Sequence, residues 1–102
     1  MSDARRVLDA LVSETAFQDS VTDLATLRGW SWYHTHDSRR SKRGWPDLVL
    51  VRPPQLLIRE LKREGETPTE EQAWWLEALR RCGIDAGVWR PSDWPEIENS
   101  LT

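Results

Sequence analysis

The sequence predicts an α/β fold, a mixed four-stranded sheet flanked by helices in the order αβββαβα. Three observations predict it. Apolar residues recur at helical spacing through the first third of the chain. Three short runs rich in branched and aromatic residues then crowd the middle. A helical stretch, a short apolar run and a second helical stretch complete the alternation. At 102 residues the chain fits a single domain over 1–102, with 1–12 expected as a helical N-terminal extension.

Taken in order, Val7, Leu8, Leu11 and Val12 follow helical spacing. Phe17, Val21, Leu24, Ala25 and Arg28 line one face of a second helix that Ser13 would cap and Gly29 would stop; the two stretches could also be one continuous helix. Residues 30–35 (WSWYHT) read as a strand, and 37–44 (DSRRSKRG) as a polar, basic loop. Leu48-Val49-Leu50-Val51 has the continuous apolar character of a strand buried on both faces. Pro53-Pro54 turns the chain into a third strand over 56–62, which is expected to pair with the second as a hairpin. Thr69 with Gln72 makes a capping box for a helix whose apolar face is Trp75, Leu76 and Leu79 and whose end is Gly83. Residues 84–89 form a fourth strand. Asp93 with Glu96 caps a final helix bearing Ile97 and Leu101.

Composition narrows the function classes. One cysteine, Cys82, excludes an internal disulfide framework and a multi-cysteine zinc site. The apolar runs fall far short of the roughly 20 residues that span a bilayer, and the opening residues lead into no signal-peptide stretch. A soluble, cytoplasmic protein with no membrane partner is expected. The net charge of -3 conceals an asymmetry: residues 39–63 sum to +6, between flanks of -3 and -6. Such a block is common on solvated surfaces, but a local anion-binding surface is the functional alternative.

The chemistry concentrates in the middle strands. Asp47 starts the second strand, and Glu60 and Lys62, two apart on the third, leave the same face. If those strands pair, Asp47 and Glu60 converge with Lys62 beside them. Two converging carboxylates suit Mg²⁺ or Mn²⁺, and a nearby ammonium can orient a water or offset phosphate charge. An Asp followed by Glu-x-Lys is common by chance, so the flanking residues must decide.

Those flanks, Gly29 to Ser41 (GWSWYHTHDSRRS) and Gly44 to Val51 (GWPDLVLV), with Glu60-Leu61-Lys62 and the helix opening at Thr69-Glu70-Glu71-Gln72, resemble the VRR-NUC family, the virus-type replication-repair nucleases of the PD-(D/E)XK superfamily. The resemblance runs over roughly residues 13–101 with the motifs in order, and short chains of this kind in the family are typically phage-encoded and stand alone. It implies a restriction-endonuclease-like core. It implies Asp47, Glu60 and the Leu61 backbone carbonyl as metal ligands, with Lys62 as the catalytic lysine. It also implies Glu14 as a site-facing glutamate of the first family helix and Gln72 as a site glutamine. Glu14 could instead merely favour a helix N-terminus. Gln72 shares the apolar face of its helix, where a site carboxylate or water would satisfy it, yet it could serve only the capping box.

Ser38, Arg39, Arg40, Ser41, Lys42 and Arg43 precede Asp47 in the loop, where scissile phosphates would arrive, and are the expected DNA contacts. His34 and His36 with Asp37 fall short of the three or four ligands zinc needs. Cys82 is expected to be inert and partly buried. Trp45 could pack in the core or stack on a base, packing being preferred. Trp74, Trp89 and Trp94 are candidates for a dimer surface.

The resulting expectation is a Mg²⁺- or Mn²⁺-dependent endonuclease of branched DNA, with no small-molecule organic cofactor. The resemblance points to a homodimeric Holliday-junction resolvase, since a two-fold dimer presents two sites to two equivalent strands. The alternatives are a flap or nicking nuclease, a non-cleaving DNA-binding module, and a subunit of a larger phage replication complex.

Overall fold

A computed structural model describes residues 2–35 and 42–102. Two serine caps divide the N-terminal segment. Ser2 Oγ accepts from the Arg5 amide at 3.2 Å and Ser13 Oγ from the Ala16 amide at 3.0 Å. Ser13 is extended (φ -71°, ψ 159°), which a continuous helix does not permit, so α1 (Asp3–Leu11) and α2 (Glu14–Leu27) are separate. Gly29 (φ 81°) then reverses the chain.

Four strands follow: β1 (Ser31–His34), β2 (Leu48–Arg52), β3 (Gln55–Leu61) and, after α3 (Glu70–Arg81), β4 (Asp85–Trp89). They lie in the spatial order β1-β2-β3-β4. The first two pairings are antiparallel and β3–β4 is parallel, as a helical crossover requires. The β2–β3 hairpin is as the sequence predicts, closed by Arg52 opposite Gln55.

Side-chain alternation sorts the sheet into two faces. Leu48, Leu50, Leu57, Leu61 and Trp89 point to the side covered by Phe17, Val21 and Ala25 of α2 and by Ile97 and Leu101. Ile97 lies in α4 (Trp94–Ser100) and Leu101 directly follows it; α4 itself follows a 3₁₀ turn at Pro91–Asp93. Ile58 and Ala86 point the other way, against Leu76 of α3, with Val49, Leu79, Ile84 and Val88 around them. This makes a three-layer sandwich, α2 and α4 on one face and α3 on the other, as expected for a mixed sheet flanked by helices.

Three expectations change. Asp93 does not cap α4; its carboxylate accepts from the Arg90 amide at 2.9 Å and so closes the preceding 3₁₀ turn. Trp89 is 1% exposed, because the parity of β4 sends it into the α2 core, where it packs beneath Arg59 with 4.7 Å between guanidinium and ring. Trp94 is half-buried against that core. Trp89 therefore cannot be a dimer surface without unpacking, whereas Trp94 keeps part of its ring exposed. Cys82 is exposed rather than partly buried, since it follows the last turn of α3 on the solvent side.

Candidate active site

The end of the sheet where β2 begins and β3 finishes gathers the polar residues. Leu48 pairs with Arg59, so in the antiparallel register Asp47 falls opposite Glu60. Alternation puts Asp47, Glu60 and Lys62 on the α3 face, in line with Val49 and Ile58. Asp47 is held from two sides. Its carbonyl accepts from the Thr35 amide at 3.1 Å, and its Oδ2 accepts from the Leu61 amide at 2.9 Å.

Glu60 is 1% exposed, an uncommon place for a carboxylate. Its Oε2 lies 3.4 Å from Lys62 Nζ, while its Oε1 is buried and accepts no hydrogen bond. Burial pushes the Glu60 carboxyl up to about 8; the charge of Asp47 adds to the rise and Lys62 opposes it. Lys62 has a side chain only 13% exposed and is anchored by its own amide to the Trp89 carbonyl at 3.0 Å. Two acids and an ammonium are therefore concentrated where a lone charge would be costly.

The donor set fits a divalent cation. An unpartnered buried carboxylate oxygen beside a second carboxylate is what a hard oxygen-seeking ion satisfies, and its charge would favour the ionised form of Glu60. Asp47 and Glu60 supply two such donors. Glu14 opens α2 as an exposed residue, and no group of three or more His, Cys, Asp or Glu stands together among the described residues, so Glu14 is not assembled with this pair. Gln72 is half-buried at the start of α3. Its Oε1 accepts from the Thr69 amide at 2.8 Å and its amide donates to Thr69 Oγ1 at 3.2 Å, the reciprocal pattern of a capping box.

Of the predicted phosphate-binding loop, Ser38, Arg39, Arg40 and Ser41 lie outside the described residues, as does His36; Lys42 and Arg43 are exposed. Sequence reasoning missed how closely that loop is joined to α3. Gly44 (φ 85°) presses on the start of α3 so tightly that a Cβ there would stand 2.6 Å from the Glu71 carbonyl carbon. Trp75 Nε1 donates to the Arg43 carbonyl at 3.1 Å, and the Trp75 ring meets Trp45 edge-on with centroids 5.1 Å apart. Trp45 thus packs, as preferred from the sequence. The Trp74-Trp75 doublet following a basic, glycine-ended loop was the available signal.

An Asp on one strand of a mixed sheet and Glu-x-Lys on the next define a nuclease core of the PD-(D/E)XK type. The VRR-NUC domain family matches residues 7–93, and the chain belongs to that family. A solved structure described as a VRR_NUC domain is similar in fold, with a TM-score of 0.65 at 22% identity, covering 74% of this chain and 81% of that one. Comparison with curated protein sequences finds no match.

Proposed function

We propose that the protein is a Mg²⁺- or Mn²⁺-dependent DNA endonuclease that cleaves branched DNA, with a Holliday junction cut by a homodimer as the leading form. The observation supporting the chemistry is the buried Glu60 beside half-buried Asp47, with one unpartnered Glu60 carboxylate oxygen and the Lys62 ammonium 3.4 Å from the other. In this reading the whole chain is one nuclease domain.

Asp47, Glu60 and the Leu61 carbonyl would hold the ion. When bound, it supplies positive charge to the scissile phosphate and lowers the pKa of water. Hydrolysis joins a water oxygen to phosphorus and breaks the bond to the leaving sugar oxygen. Lys62 has three donor hydrogens and no acceptor, so it can orient that water or stabilise charge on the non-bridging oxygens. It directly follows β3, two residues after Glu60, and its backbone is anchored by the bond from its amide to the Trp89 carbonyl. Gln72 would be the site glutamine that the family resemblance implies, whereas Glu14 stands apart from the pair and is assigned no ligand role. Ser38, Arg39, Arg40, Ser41, Lys42 and Arg43 bring the phosphate backbone to the site.

Cleavage of a labelled four-way junction, a flap and a linear duplex, with Mg²⁺, Mn²⁺ or EDTA, tests the reading. Paired symmetric cuts in the junction, dependent on metal and absent in Lys62→Ala, are expected. Cutting of the flap alone would retain the chemistry and remove the junction assignment. Tight binding without cutting in either metal would replace the enzyme with a binding module.

A further inference from the structure

Beside the metal-site candidates, on the outer side of α3, lies a second feature that the hydrolytic chemistry does not use. Trp74 is 63% exposed, the most exposed of the tryptophans. It stands edge-on to Trp75, with centroids 5.1 Å apart and an interplanar angle of 86°. Trp75 is immobilised from behind by Trp45 and by its hydrogen bond to the Arg43 carbonyl. Trp74, Trp75, Lys42, Arg43 and Glu71 together line an open pocket of about 310 Å³. Neither Lys42 nor Arg43 has an ion-pair partner among the described residues.

We propose that this pocket takes one unpaired nucleobase of the substrate, stacked on Trp74, with the adjoining phosphates on Lys42 and Arg43. An apolar wall beside two available cations matches a base joined to its phosphate: the ring system stacks and the cations meet the anion. A protein side chain would use the wall and leave both cations unanswered. Trp75, held by Trp45 and the Arg43 carbonyl, backs the Trp74 ring from one side. Arg43 is four residues before Asp47, and the Gly44 contact fastens α3 to this same segment, so a base held here adjoins the strand entering the site. The base must be out of the duplex stack to reach Trp74. The pocket therefore selects DNA that is unpaired next to the cut, as at a branch, flap or overhang. This deepens the nuclease reading and rests on it.

The test is fluorescence anisotropy in EDTA, with the full chain and a labelled short single strand or the same sequence as duplex. Trp74→Ala is expected to weaken single-strand binding about tenfold or more while duplex binding changes about twofold or less, and Trp74→Phe to retain most of it. Unchanged single-strand affinity, or equal losses on both DNAs, overturns the proposal. So does conversion of a dimer to a monomer by Trp74→Ala with both affinities falling, which assigns Trp74 to a contact between copies. Trp74-dependent single-strand binding by a wild-type protein that cuts nothing in Mg²⁺ or Mn²⁺ supports the base site and defeats the nuclease reading.

Discussion

Replacing Glu60 by Gln separates the cost of a buried charge from its use. The carboxyl ordinarily titrates at 4.5 and in the folded chain at about 8, chiefly because it is desolvated. Between those values the metal-free folded state holds a proton that the unfolded state has lost, so stability must fall as pH rises through that window. At about 1.4 kcal/mol per pH unit, wild type should lose about 2–3 kcal/mol between about pH 6 and about pH 9 in EDTA. That is a large share of the 5–15 kcal/mol typical of a domain. Glu60→Gln keeps the shape of the protonated carboxyl and cannot ionise, so its stability should lack this component. Urea unfolding in EDTA across that range, at constant ionic strength, measures the difference. Parallel pH dependences for the two proteins would refute the argument, because they would mean that Glu60 does not ionise at this cost. Added Mg²⁺ or Mn²⁺ should restore the wild type most strongly at high pH and leave Glu60→Gln unmoved, since the ion competes with the proton for the same oxygens.

Three other outcomes are expected. Lys62→Ala should abolish cleavage, by about a hundredfold at least, while junction affinity in EDTA changes little; gel-shift and cleavage assays run in parallel would expose a loss of both. Gly44→Ala should cost about 3 kcal/mol or more, because a Cβ at φ 85° meets the Glu71 backbone at 2.6 Å, whereas Gly29→Ala, at φ 81° with nothing within 4 Å, should cost about 1 kcal/mol in urea unfolding. Neutralising Lys42 and Arg43 together should lower the magnitude of the salt dependence of log K for duplex DNA by about 2, and an unchanged slope would mean that neither meets a phosphate.

The element order was legible because each boundary has a local cause. Ser13 and Thr69 accept the helix amides they should, Gly29 and Gly83 take positive φ, and the β2–β3 hairpin follows from two apolar runs around Pro53-Pro54. The convergence of Asp47 with Glu60 and Lys62 was legible for a related reason: a hairpin register and a period of two fix it without any knowledge of helices. What was not legible depends on neighbours distant in sequence. Trp89 and Trp74 are alike as residues, yet one is sealed by α2 and α4 and the other faces solvent, and only the packing of three layers tells them apart. Glu14 and Gln72 carry two readings each that local sequence does not separate. Both occupy helix starts, where an acid or a capping amide has a sufficient local reason to exist. Cys82 shows that a residue at a helix end next to glycine follows the chain outward.

Asp47 joins three strands at one residue: its carbonyl ties β1 through Thr35, and its carboxylate ties β3 through Leu61. The side chain thereby substitutes for a backbone acceptor at the frayed end of a ladder. Asp47→Ala would remove the proposed metal ligand and the acceptor of the Leu61 amide together, so its loss of activity would mix the two effects. Asparagine can still accept from the Leu61 amide while lacking the charge, so Asp47→Asn would keep the bond and test the charge alone. The sheet thereby orients the proposed metal ligand: swinging this carboxylate away would leave the Leu61 amide at the end of β3 without its acceptor.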